Sequence, residues 1–137
     1  MSQTKKRVDE VDIPVSLSYY AEHTWVARDG EHCRIGITDF AQDQLGEIIF
    51  IELPEVGSSY RKGKAFGCAE STKSVSSLYM PISGEIVQVH TAVSDNPELV
   101  NQDAYGEGWM ILVKPTNPAE MQELLSADSY RRQLSSD

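Results

Sequence analysis

The chain has 137 residues, 40% of them hydrophobic, with 21 acids against 12 lysines and arginines. One domain of that length buries a working core, and a net charge of −9 repels phosphate backbones, so no nucleic-acid partner is expected. No stretch approaches the roughly 20 apolar residues that span a bilayer, so no membrane partner is expected either.

Residues 1–15 are polar and charged and are read as a flexible leader ahead of a single domain over 16–137. The first residues carry no apolar run of the secretory type, and Asp9, Glu10 and Asp12 disfavour a transit peptide, so a cytoplasmic location is expected. Tyr19 and Tyr20 open a series of short strands. Residues 23–28 and 31–37 form a hairpin around Asp29-Gly30. Residues 38–46 read as a short helix, with Thr38 or Asp39 as cap, Phe40 and Leu45 facing inward and Gly46 as stop. An apolar strand, 47–53, ends at Pro54.

The segment from Phe66 to Ser77 reads as a second hairpin with Lys73 at its tip and a downstream arm closing through Pro81–Val89. Asn96–Asn101 reads as a helical turn, Tyr105–Gly108 as a glycine-rich loop, and Trp109–Pro115 as a last strand. Asn117 as cap, Pro118 at the first helical position and Glu120 at the third, the pattern of a capping box, start a terminal helix that runs to Leu125 and resumes over 129–134. Short strands at turn-punctuated spacing argue for a mostly β chain, a sandwich or barrel.

Lys73 lies among Ser71, Thr72, Ser74 and Ser76, with Glu70 close by. A catalytic lysine is activated by burial or by a neighbouring cation, and nothing adjacent to Lys73 supplies either. Its position suits acylation by a separate enzyme and a role as tether. His23, His32, His90, Cys33 and Cys68 fit no zinc spacing, so no metal is expected. No cation neighbours Cys68 in the sequence, so no nucleophile and no catalytic residue is expected. The two cysteines are read as buried thiols, not as a disulfide.

Long stretches of the chain resemble the glycine cleavage system H proteins. The stretches are Ile35–Gln42, Leu45–Ile48, Glu52–Gly57, Phe66-Gly67, Glu70-Ser71-x-Lys73, Pro81–Val87, Asn96–Asn101, Tyr105–Met110 and Lys114-Pro115. They stand in the family's order and spacing and cover roughly residues 18–134. The resemblance implies a two-sheet β-sandwich, the barrel-sandwich hybrid of lipoyl and biotinyl domains, with short helices and a C-terminal helix. It implies lipoate in amide linkage on Lys73, with Glu70, Ser71 and Ser74 as recognition context for the lipoyl-attaching enzyme. Biotinyl lysines are usually flanked by methionines, and lipoyl domains of 2-oxo acid dehydrogenases read Asp-Lys-Ala; Thr72 and Ser74 fit neither.

The implied partners are a pyridoxal-phosphate glycine decarboxylase, which loads an aminomethyl group, and a tetrahydrofolate-dependent aminomethyltransferase, which takes it. A flavin-dependent dihydrolipoyl dehydrogenase reoxidises the arm. The chain itself is expected to be a non-catalytic carrier. His23, Thr24, Trp25 and Ser77 are expected to border the cleft that shelters the loaded arm. The family commonly carries acids where this chain has Thr24 and Ser77, so weaker sheltering of the loaded arm is expected. The same departures leave an alternative, an H-like paralogue that relays lipoate with little glycine turnover.

Overall fold

The computed structural model describes residues 6–136. Among the described residues nine strands run in chain order: β1 (Ser18–Tyr20), β2 (Thr24–Asp29), β3 (His32–Ile37), β4 (Ile48–Glu52), β5 (Ser59–Tyr60), β6 (Ala65–Ser71), β7 (Val75–Tyr79), β8 (Gly84–Val89) and β9 (Ile111–Pro115). The helices are α1 (Asp39–Leu45), α2 (Thr91–Asp95), α3 (Glu98–Gln102) and α4 (Ala127–Ser136), with 3-10 turns at Val8–Glu10 and Pro118–Glu123. Six strands pair in the order β1-β2-β3-β9-β8-β5 and three in the order β4-β6-β7, every pair antiparallel. The mostly β, two-sheet architecture with short helices and a terminal helix agrees with the sequence-based expectation.

The first hairpin turns on Gly30-Glu31, one residue later than expected, with Asp29 paired to His32 and Gly30 at φ +67°. That left-handed conformation carries no side-chain penalty at glycine. Thr38 caps α1 by accepting the Ala41 N–H at 3.2 Å, and the Gly46 N–H closes it on Gln42 O.

The two sheets bury their inner faces on each other. Ile35, Ile86, Ile111 and Val113 from the larger sheet meet Ile51, Ala69 and Leu78 from the smaller, with Met80 and Ile82 on the link between them. Each large aliphatic side chain buried this way contributes on the order of 2 kcal/mol. The downstream partner of the Lys73 hairpin is therefore β7; the Pro81–Val89 segment expected to close that hairpin crosses over and pairs as β8 with β9 in the other sheet.

A second apolar cluster lies beside the larger sheet and changes the reading of the leader. Val11 and Ile13 are buried with Tyr19, Trp25, Tyr130 and Leu134. Tyr130 and Leu134 sit four apart on α4, one face of the helix, and the Tyr130 ring stacks on Tyr19 at 5.0 Å. Residues 1–5 of the expected flexible leader lie outside the described residues. From Lys6 onward the segment is packed, because Val11 and Ile13 alternate into the gap between β1 and α4.

Asp39 ties this strap down. Its carboxylate is almost buried and accepts from Lys6 Nζ at 3.0 Å, Asp12 N–H at 2.8 Å and Gln42 Nε2 at 2.7 Å. At the other end of the chain, Glu120 does not close a capping box on Asn117. It accepts from Ser83 N–H and Ser83 Oγ, so the expected helix there is a 3-10 turn, and the α-helix begins only at Ala127.

Burial pushes the Asp39 carboxyl up, and the hydrogen bonds from Asp12, Lys6 and Gln42 outweigh it, so the group ionises below the ordinary Asp value. A depressed carboxyl stabilises the fold above its unfolded pKa, and that stabilisation is lost as pH falls through its folded value. Asp39→Asn is expected to lower stability by about 1–2 kcal/mol at neutral pH and to flatten the acid limb of a Tm-against-pH series below about pH 4. A variant with the wild-type Tm and acid limb would show that the strap is not held by this carboxylate.

Candidate functional site

The tip of the β6–β7 hairpin is built around one buried hydroxyl. Ser71 is 4% exposed; its N–H donates to Ser74 O at 2.8 Å, and its Oγ accepts the Lys73 and Ser74 N–H groups at 3.2 and 3.1 Å. The Thr72 N–H donates to Glu47 O, fastening the loop to the chain ahead of β4. The backbone is thus fixed on both sides of Lys73, while its side chain is exposed and makes no hydrogen bond or ion pair among the described residues. Glu70 is half-buried at the end of β6, opposite Val75, and Ser74 is exposed. The structure thus brings Glu70, Ser71, Lys73 and Ser74 together in one turn.

Immediately after Lys73, five consecutive residues, Ser74–Leu78, form one wall of a cleft of about 410 Å³. The opposite wall is Glu22-His23-Thr24, and Ile37 and α1 supply the floor through Phe40, Ala41, Gln44 and Leu45. Glu22 and His23 precede β2, and the chain changes direction there through His23, at φ +73°. His23 was expected on a strand with Trp25; it occupies the turn between β1 and β2, held by its N–H on Tyr20 O and by the Thr38 N–H on its carbonyl. A non-glycine residue in that region costs about 1 kcal/mol or more. The offset comes from the imidazole, whose Nδ1 lies 2.8 Å from Tyr130 Oη and whose ring lies 5.0 Å from Phe40. Tyr130 Oη also bonds Thr38 Oγ1 at 2.8 Å, and burial raises the Tyr130 hydroxyl well above the ordinary tyrosine pKa.

Of the four residues expected at the cleft, His23, Thr24 and Ser77 line it. Trp25 does not. It is 1% exposed, donates Nε1–H to Ala104 O at 3.1 Å and packs toward Gly36, because the positive φ at His23 places Thr24 on the cleft side and the next residue of β2 in the second core. Thr24 is also 1% exposed, and its Oγ1 has no hydrogen-bond partner among the described residues. Glu22 and Gln44 were not foreseen. Gln44 stands four residues after Phe40, a helical spacing that was readable; Glu22 enters only through the turn at His23, which nothing in the local sequence announces.

Cys68 is half-buried on the outer face of the smaller sheet, not in the core as expected, with Sγ 3.7 Å from Glu52 Oε1. Burial and the Glu52 carboxylate both raise its thiol pKa, which keeps it protonated and a poor nucleophile. Cys33 is buried, and burial raises its pKa as well. Both are free thiols.

The site is thus a fixed turn that presents an exposed lysine beside a partly apolar cleft. The family model for the glycine cleavage H-protein matches residues 17–137, and the chain belongs to that family. It is 48% identical over 126 residues to the glycine cleavage system H protein of Halalkalibacterium halodurans, covering 92% of this chain and 98% of the relative. It is 51% identical over 122 residues to that of Carboxydothermus hydrogenoformans, covering 89% and 94%. The crystal structure of a glycine cleavage system H protein from Mycobacterium marinum superposes with a TM-score of 0.81 at 41% identity, covering 90% of this chain and 99% of that one. Among the described residues no helix is long and apolar enough to cross a membrane.

An unpartnered buried hydroxyl costs about 1–3 kcal/mol. Thr24→Val keeps the branched shape and removes the orphan oxygen, so calorimetry of the unloaded protein should give an unchanged or higher Tm, with stabilisation of about 1 kcal/mol. A drop in Tm would mean that Oγ1 has a partner in solution.

Proposed function

We propose that Lys73 Nζ carries lipoate in amide linkage and that the loaded arm folds into the cleft lined by His23, Thr24 and Ser77. The chain is the lipoyl carrier of the glycine cleavage system and a non-catalytic subunit of it. The observation that carries the attachment site is the pairing of a rigid turn with a free side chain: the backbone amides of Lys73 and Ser74 are held by Ser71, while the Lys73 amine stands in solvent.

Each element has a physical use. Amide formation removes the lysine charge and adds length. Lipoate supplies the sulfur that bears the one-carbon cargo. Tethering converts each handover between enzymes into an encounter at high effective concentration. Phe40, Leu45 and Leu78 give the cleft apolar surface, which limits access of water to a loaded arm. Glu70, Ser71 and Ser74 supply the local shape and charge that a lipoyl-attaching enzyme reads.

The partners that take up the arm are the glycine decarboxylase, the aminomethyltransferase and the dihydrolipoyl dehydrogenase, and the setting is the cytoplasm. The acidic surface favours docking patches rich in lysine and arginine.

The test is glycine–bicarbonate exchange catalysed by the decarboxylase, run with lipoylated protein and with Lys73→Arg. The wild type should support exchange, and the variant should remain unmodified and reduce exchange by at least about 100-fold, since no tethered sulfur is left. Exchange supported equally by Lys73→Arg would rule out the assignment, and full modification of the wild type without exchange would favour the lipoate-relay role.

A further inference from the structure

We propose that the outer face of β4, built on Ile49 and Phe50 and rimmed by carboxylates, is where the decarboxylase that loads the arm seats itself, with an apolar surface edged by lysine and arginine. The inference rests on the carrier reading of Lys73 and goes beyond it, to a surface away from the cleft and the partner that fits it.

Ile49 and Phe50 are 50% and 51% exposed on a strand of five residues. Adjacent residues of a regular strand face opposite sides, so one of the two belongs in the core. The register shift between Ile48 and Phe50 turns both outward. Ile48 and Ile51, on either side, stay buried, so β4 keeps its place in the sandwich while giving two large apolar side chains to solvent. Contiguous apolar surface of this kind marks an interaction site. Phe50 stands opposite Glu70, and Glu70 opposite exposed Val75. Directly opposed residues share one face of a sheet. That row lies immediately behind the turn that holds Lys73.

The charge on this sheet has one sign. β4, β6 and β7 carry Glu52 and Glu70 and no lysine or arginine, and Glu47 and Glu55 flank β4. None of these four carboxylates is in an ion pair among the described residues, whereas Asp29, Asp39, Glu123 and Asp128 are. An aromatic anchor inside a ring of unneutralised acids is complementary to an apolar seat with a cationic rim. A second copy of this chain does not fit, because a symmetric contact would set the same carboxylates against each other.

The position of the face selects the loading partner. The cleft takes residues from β7 and none from β4 or β6, and β6 separates β4 from β7. A partner seated on β4 therefore reaches the tip of the hairpin and leaves the cleft open for the arm's return. The decarboxylase also meets an arm that bears neither cargo nor charge, so the electrostatic part of its recognition falls to the carrier's own surface. The other two partners meet an arm that brings a cargo amine or a pair of thiols.

The test is glycine–bicarbonate exchange over a range of concentrations of full-length lipoylated protein, with intact mass establishing equal modification of every variant. Phe50→Ser and Ile49→Ser should each raise the KM for the carrier roughly tenfold, as loss of an interface anchor does, and change kcat by less. Glu52→Gln should raise KM about two- to threefold and flatten its dependence on salt. Val15→Ser removes an exposed apolar side chain from the strap and should leave KM unchanged. A second measurement needs no arm: unlipoylated wild type should inhibit exchange competitively, and unlipoylated Phe50→Ser about tenfold less well. Equal KM values and equal inhibition for wild type and Phe50→Ser would overturn the assignment. An equal rise in KM for reoxidation by the dehydrogenase would overturn it too, since the face would then be common to all partners. Wild type found bare at Lys73 would instead sink the carrier reading and this inference with it, and intact mass reads that before any kinetics.

Discussion

Ser71 is buried and Lys73, two residues on, stands in solvent; the rest of the structure serves that contrast. A tether is useful only if its base is fixed and its end is free. The Ser71 hydroxyl accepts two successive backbone N–H groups, which sets the turn without using the lysine side chain. Behind it, β6 lies between β4 and β7, and a Cβ on Gly67 would run into the Glu52 carbonyl. The hairpin therefore cannot slide relative to β4 without a clash, and the tip stays where the sandwich puts it.

The second apolar cluster has a different task. It supports the wall opposite the hairpin. Tyr130 reaches from α4 to both His23 and Thr38, so the terminal helix holds the residue whose left-handed backbone opens the cleft and also the cap of the helix that floors it. Val11 and Ile13 close the same cluster from the other side. The strap and the terminal helix, both remote from Lys73 in sequence, thus determine the shape of the cavity next to it.

Much of this was readable in the chain. Asp29-Gly30 marked the first hairpin, Thr38 and Gly46 bounded α1, and the stretch around Glu70-Ser71-x-Lys73 marked the hairpin tip with its exposed lysine. What was hidden depends on tertiary partners. The apolar run 47–53 gave no sign that Ile49 and Phe50 both face outward; the register between β4 and β6 shifts between Ile48 and Phe50 and rotates them to the surface. Val11 and Ile13 sit in a polar context, and only the groove beside β1 explains their burial. Glu120 looked like half of a capping box until Ser83, 37 residues away, claimed its carboxylate. His23 and Trp25 looked like alternate residues of one strand; the positive φ at His23 separates their fates, and the same turn carries Glu22 into the cleft.

The central claim is that the ε-nitrogen at position 73 is the attachment point for the swinging sulfur. Peptide mass mapping of protein isolated from cells well supplied with lipoic acid tests it most directly. The account predicts one lipoyl modification, located on Lys73 and absent from every other lysine. A fully bare Lys73, or a lipoyl group on another lysine, would contradict it.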